Sequence, residues 1–146
     1  MPKMIFVNLP VAHVEKSAAF YEAIGFTKDA RFSMPGSAAA MVWSDAIVFM
    51  ILSRGHFADF TTKRIVDAKN EVEALLCLSF DSRHGVDGIV EKAVAAGGKA
   101  DPGPKQDHGF MYGRSFEDPD GHVFEPMWMH VESAMVARGG QRTEAA

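Results

Sequence analysis

The chain has 146 residues, of which 47% are hydrophobic and 23% charged, with a formal net charge of −4. This length suits one domain, and the composition is that of an ordinary globular protein. Acidic and basic residues are interleaved, so no basic stripe is available to neutralise phosphates, and no apolar run reaches the roughly 18 residues of a membrane span. The N-terminus leads directly into a strand pattern without the features of a signal peptide. We therefore expect a cytoplasmic protein that binds neither nucleic acid nor membrane.

The first half of the chain predicts a strand, a helix and three further strands. Alternating β-favouring residues over 4–11 indicate the first strand. Apolar residues at helical spacing over 13–24 indicate a helix, which Gly25 would end. Strand-sized segments separated by turn residues follow at 26–32, 38–44 and 46–52. This half therefore has the order βαβββ.

The second half repeats this order after a connector at 54–70, which we expect to contain some helix. The predicted elements are a strand at 73–82, an amphipathic helix at 86–96, a short edge strand within 99–105 and a hairpin of 110–117 with 122–130. A repeated βαβββ order indicates an internal duplication. We expect module 1 at about 3–53, module 2 at about 72–130, one domain over 1–131 and a flexible, frayed tail over 132–146.

The hairpin places one carboxylate among apolar residues. Pro119 and Gly121 supply the backbone angles that a tight turn needs, and strand-like residues lie on both sides. Glu125 follows this turn within an otherwise apolar run, where a carboxylate needs a partner, a proton or a metal. The single cysteine, Cys77, excludes an internal disulfide, and its apolar neighbours predict a buried thiol.

Three features together resemble the vicinal oxygen chelate superfamily, which includes glyoxalase I, bleomycin-resistance proteins, fosfomycin-resistance enzymes and extradiol dioxygenases. They are VEKSAAFYEAIGF at 14–26, the paired βαβββ modules, and EDPDGHVFE at 117–125. The resemblance implies an α+β fold in which two βαβββ modules form a cup-shaped half-barrel. It also implies a homodimer with the active site inside the cup.

Enzymatic members of that superfamily hold a divalent metal with ligands from the first, fourth, fifth and eighth strands. Carried over to this chain, the eighth-strand ligand is Glu125 and the first-strand position is Phe6. The fourth-strand position falls at or next to Phe49, and the fifth-strand position at or next to Leu75. Phenylalanine and leucine cannot coordinate a cation. We expect no cofactor, and a divalent metal only if His108 reaches Glu125 from its loop.

Two roles for Glu125 stay open on the sequence. It is either a carboxylate retained from a metal-binding ancestor, or an anchor or general base for a bound molecule, with its pKa raised by desolvation against apolar neighbours. Tyr112 and Arg114 are predicted to share its face and to partner it. Asn8 shares a face with Phe6, where it either bonds a ligand carbonyl or serves as a turn-side amide.

These residues lead to a ligand-binding hypothesis. We expect a metal-independent protein that holds a small organic molecule in an apolar cup formed with Phe6, Phe49 and Leu75. The alternative is a divalent-metal-dependent lyase or dioxygenase with non-standard ligands. A third hypothesis is a filled cup that serves only dimerisation or partner binding. The remaining histidines are expected to be solvated or capping residues, at His13, His56, His84 and His130.

Overall fold

In a computed structural model, which describes residues 3–145 and the side chains of residues 3–138, the chain folds as two βαβββ modules. Module 1 contains β1 (Ile5–Val11), α1 (Val14–Ala23), β2 (Thr27–Met34), β3 (Ala38–Ser44) and β4 (Ile47–Ser53). The connector begins with the short helix α2 (Arg54–Ala58). Module 2 contains β5 (Leu75–Phe80), α3 (Arg83–Ala95), β6 (Lys99–Ala100), β7 (Gln106–Asp107), β8 (Met111–Gly113), β9 (Phe116–Glu117) and β10 (Val123–Met129), and helix α4 (Val131–Ala145) follows.

The two modules have the same sheet topology. The first sheet has the order β1-β4-β3-β2, and in the second β5 pairs with β10, which in turn pairs with β8 and β9. The first and last strands of each module are parallel. The second strand of module 2 is divided into β6 and β7 because Pro102 and Pro104 between them have no N–H to donate. The α+β fold predicted from the sequence is confirmed, and its eighth family strand is β10.

The helices cover one face of each curled sheet, and the other face is concave. The covered faces share one core that includes Leu9, Phe49, Leu78 and Phe124. The ring of Phe124 stacks on Phe116 with centroids 5.2 Å apart, and it lies 5.4 Å from the ring of Phe49 in the other module. Because both modules contribute to this core, they are held as one packed unit, and the concave faces are left to form a site.

The turn between β9 and β10 also connects the modules. The Tyr21 hydroxyl of α1 donates a hydrogen bond of 2.5 Å to the buried Asp118 carboxylate. The other oxygen of Asp118 accepts from the backbone N–H groups of Asp120 and His122, at 3.0 and 2.8 Å. The His122 ring lies 2.7 Å from the Pro10 carbonyl through Nε2. Burial raises the pKa of Asp118, and burial together with the charge of Asp118 raises the pKa of Tyr21.

The end of the chain differs from the expected frayed tail, because residues 131–145 form helix α4. The preceding His130 caps it: the His130 carbonyl accepts from the Ala134 N–H at 3.0 Å, and its ring nitrogen Nδ1 lies 2.7 Å from the Ser133 hydroxyl. Good helix formers in the first turns outweigh the later glycines. No helix among residues 3–145 combines the length and apolarity that crossing a bilayer requires.

Candidate functional site

Glu125 lies at the centre of β10 on the concave side of module 2. The parallel register places it directly opposite Cys77, and places Val123 opposite Leu75. Paired residues in neighbouring strands point to the same side, so these four side chains share one face. Leu75 is 56% exposed there. Leu75 therefore lies on the same face as Glu125, and Cys77 is the nearer neighbour.

The exposure of Cys77 contradicts the expectation of a buried thiol. Alternation along β5 sends Leu76 and Leu78 into the core and Cys77 to the concave side. Partial desolvation and the charge of Glu125 raise the pKa of Cys77, which keeps the thiol protonated at neutral pH. Sequence reasoning missed this neighbour of Glu125 because a uniformly apolar run does not reveal which of its faces is covered.

Tyr112 does not flank Glu125 and lies on the helix-covered side of the sheet instead. The β8–β10 register pairs Tyr112 with Trp128 and Gly113 with Met127. A shift of one residue in register moves a side chain to the opposite face, which is the reason that the prediction for Tyr112 was wrong. Its hydroxyl donates to Asp87 on α3 at 2.7 Å, and this bond is the main cause that lowers the pKa of Asp87.

Arg114 also lies on the helix-covered side, beside Tyr112 and Asp87, so its predicted pairing with Glu125 is also wrong. Its guanidinium makes two hydrogen bonds to Asp101, at 3.1 and 2.7 Å, and one to Asp87 at 3.0 Å. The Arg114 side chain is only 13% exposed. These bonds lower the pKa of Asp101 and raise that of Arg114 above its ordinary value. The hydrogen bonds of Tyr112 and Arg114 to Asp87 therefore hold β8 against α3.

Module 1 presents Phe6 and Asn8 on its concave side, as predicted. Phe49 was wrongly placed in the cup: it is 2% exposed and packs in the shared core. The register of β1 with β4 pairs Phe6 with Val48 and Asn8 with Met50, so these two neighbours of Phe49 occupy the concave face. The family's fourth-strand ligand position is therefore apolar, although Val48 or Met50 occupies it instead of Phe49.

Of the candidate residues, Asn8, Leu75 and Glu125 line cavities, and three cavities are involved. A cavity of about 350 Å³ lies between Asn8, Leu76 and His122 and is covered by connector residues. A second, of about 340 Å³, lies on the concave face of module 1 and also includes Asn8. Glu125 lines a third, of about 390 Å³, together with Leu75 and connector residues 68–72. The structure therefore does not bring Asn8 and Glu125 into one cavity.

The donor set around Glu125 does not fit the superfamily's metal site. Among the described side chains, those of residues 3–138, no three His, Cys, Asp or Glu are grouped so that they could hold a metal ion. His108 lies 3.3 Å from Gln106 and does not line the Glu125 cavity. A carboxylate beside one thiol offers a transition metal too few ligands, since such metals ordinarily take three or four from the protein.

The sequence also matches a protein-family model. Residues 3–125 match that of the Glyoxalase/Bleomycin resistance protein/Dioxygenase superfamily. The chain belongs to this superfamily. No curated protein matches its sequence significantly.

Solved structures of the superfamily share the fold. A hypothetical protein from S. aureus is 27% identical, with a TM-score of 0.71, and the match covers 88% of this chain and 94% of that one. A glyoxalase/bleomycin resistance protein/dioxygenase family enzyme from Burkholderia phytofirmans is 19% identical, with a TM-score of 0.70 and coverage of 88% and 99%. A fosfomycin resistance protein from Listeria monocytogenes is 18% identical, with a TM-score of 0.63 and coverage of 90% and 97%. At 19% and 18% identity, the last two support the fold alone.

Proposed function

We propose that this superfamily member binds a small organic molecule on its apolar concave faces without the metal of the enzymatic members. The observation that carries the proposal is the chemistry of the four family ligand positions. Phe6 and Leu75 occupy two of them and face the concave side, and Val48 and Met50 flank the third. Of the four positions, only that of Glu125 has a side chain with an oxygen atom that could coordinate a metal.

We propose Glu125 as a polar anchor of the module 2 cavity, which Lys69, Glu71 and Glu117 also line. The neighbours of Glu125 on β5 are the protonated thiol of Cys77 and the side chain of Leu75. The guanidinium of Arg114 is bonded to Asp87 and Asp101 on the opposite face of the sheet. A half-buried carboxylate in such surroundings gains from a ligand that donates a hydrogen bond. If the protein catalyses a reaction, Glu125 is the group that we propose as its general base.

We also propose that the protein is a homodimer whose partner covers the concave faces. Large apolar side chains lie exposed there: Phe6 and Leu75 are each 56% exposed, and Phe32 is 64% exposed. Exposed apolar clusters of this kind mark interaction surfaces. Sedimentation velocity over a range of concentrations tests this, and a monomer at all concentrations would contradict it.

The protein's single cysteine suits the reducing cytoplasm, where we propose that the protein works.

The metal content of the purified protein tests the proposed function. The protein is incubated separately with Ni²⁺, Zn²⁺, Mn²⁺ and Fe²⁺, desalted and analysed for bound metal beside a Glu125→Gln variant. We expect no retained metal in either protein. Near-stoichiometric metal in the wild type that is lost in the variant would instead favour a metal-dependent lyase or dioxygenase.

A ligand screen by thermal shift then tests binding directly. Apolar compounds that carry one hydrogen-bonding group should raise the melting temperature of the wild-type protein. Compounds that bind at Glu125 should lose that effect in the Glu125→Gln variant. A screen in which no such compound stabilises the protein would contradict the proposed ligand binding and favour dimerisation or partner binding as the role of the concave faces.

A further inference from the structure

The cavity on the concave face of module 1 is lined by a histidine, His56, that contacts the neighbouring Ser37, and the superfamily resemblance assigns neither residue. Its walls are largely apolar and include the side chains of Phe32, Met34, Met50, Leu52 and Phe60. His56 from α2 also lines it. The hydroxyl of Ser37 lies 2.7 Å from the Nδ1 atom of the His56 ring. The sequence predicted only a solvated or capping role for His56.

Both members of this pair are held in place by the backbone. Ser37 follows the β2–β3 turn; its N–H donates to the Met34 carbonyl at 3.0 Å, and its carbonyl accepts from the Ser53 N–H at 2.9 Å. The Ser53 hydroxyl in turn accepts from the His56 N–H at 3.1 Å and caps α2. The end of β4 therefore positions the helix that carries His56 against the start of β3.

The His56 ring has a defined orientation, and one of its two nitrogens is available to a ligand. Its face stacks on the ring of Phe60, with centroids 5.5 Å apart and an interplanar angle of 27°. Nδ1 is used by Ser37, and among the described residues Nε2 has no hydrogen-bond partner. A serine hydroxyl both donates and accepts, so the ring can present Nε2 either as an acceptor or as a donor.

The charges around the cavity favour a neutral ligand group. Arg31 lines the cavity, but Asp29 holds its guanidinium through two hydrogen bonds of 3.0 and 2.9 Å. Its positive charge is therefore already compensated. Aromatic rings and methionine thioethers in the walls suit a flat aromatic molecule, because both pack favourably against an aromatic ring.

We infer that His56, oriented by Ser37, is the hydrogen-bonding group that selects planar aromatic ligands bearing one hydroxyl group. The inference rests on the proposed function, since it names a ligand class for the apolar concave surface. It does not involve Glu125, which lines a different cavity. The ring of His56 and that of Phe60 form the aromatic end of the site, and Nε2 accepts the ligand's hydroxyl proton in a hydrogen bond.

Equilibrium dialysis with two probes of matched shape tests this inference. The first is 2-naphthol, and the second is 2-methylnaphthalene, which replaces the hydroxyl with a methyl group. We expect His56→Phe, which keeps a flat ring at this position, to weaken 2-naphthol binding about tenfold, as the loss of one hydrogen bond predicts. Ser37→Ala should weaken it several-fold, and neither substitution should change the affinity for 2-methylnaphthalene. His84→Phe, at an exposed histidine of α3, is the matched control and should leave both affinities unchanged.

The possible outcomes separate the inference from the proposed function. Equal losses for both probes, or none for either, would overturn the assignment of His56 and leave an apolar binding cavity standing. Tighter binding of 2-naphthoate than of 2-naphthol would overturn the preference for a neutral hydroxyl. If neither probe binds the wild type, the site assigned to this cavity is wrong, and the broader ligand screen decides the proposed function separately.

Discussion

Replacement of Tyr21 by phenylalanine tests the buried connection between the two modules. The ring should keep its edge-on contacts with Phe20, Phe26 and Phe124, whose centroids lie 5.2, 5.2 and 5.8 Å away. The change therefore removes little besides the hydroxyl that donates to Asp118. A buried acceptor that loses its donor costs about 1–3 kcal/mol of unfolding free energy. For a domain of this size, that corresponds to a melting temperature lower by roughly 3–10 °C.

The pH dependence of this loss makes the test sharper. Because burial raises the pKa of Asp118 in the folded chain, its contribution to stability is fully present below the unfolded pKa of about 3.9 and is lost as pH rises through the folded value. The Tyr21 hydroxyl opposes that loss, because a hydrogen bond to a carboxylate stabilises its ionised form. Urea denaturation should therefore show a larger effect of Tyr21→Phe at pH 7.5 than at pH 4.5.

A matched substitution on the outer surface provides the control. The Tyr112 hydroxyl also donates to an aspartate, but the Asp87 side chain is 42% exposed, so water can replace the lost bond. Tyr112→Phe should cost less than about 1 kcal/mol. An effect of Tyr21→Phe no larger than that of Tyr112→Phe, or one that is equal at both pH values, would refute the role given to the buried pair.

Three further substitutions probe other parts of the fold by urea denaturation. Gly121→Ala should destabilise by roughly 1–3 kcal/mol, because Gly121 has a φ of +97° and an added Cβ would lie 2.7 Å from the Ala68 backbone; no loss would argue against this close approach. Arg114→Met should lower stability and raise the pKa of Asp101, measurable by NMR titration, and an unchanged pKa would contradict the ion pair. Phe124→Ala should cost about 3–5 kcal/mol at the shared core, and a loss below 1 kcal/mol would contradict its central position.

Periodicity and turn chemistry predicted most of the elements and the βαβββ order of both modules. The spacing of apolar residues identified α1 and α3, and the Pro119–Gly121 turn identified the last hairpin, where the Asp118 N–H donates to the His122 carbonyl at 3.0 Å. These features depend on neighbours within a few residues, so local sequence contains them. Residues 131–145 were expected to fray because of two glycines, but they form a helix, in which helix propensity and the His130 cap outweigh those glycines.

The candidate site was less predictable because it depends on strand register. Phe6, Leu75 and Glu125, which the family resemblance assigned to the site, lie on the concave faces, whereas Phe49 and Tyr112 face the covered side. In an apolar strand both faces look alike, and one residue of register moves every side chain to the other face. Local sequence cannot supply that register, because it is set by pairing between distant strands.

The sequence by itself determined the two-module α+β fold and the apolar character of three of the family's four metal positions. Only the tertiary structure decided which side chains meet across the modules and on the concave faces. Cys77 meets Glu125 across 48 residues because β5 and β10 pair in parallel, and Ser37 meets His56 because α2 returns along the end of β4. Neither contact has a signature in local spacing, since each depends on the packing of elements that are far apart in the chain.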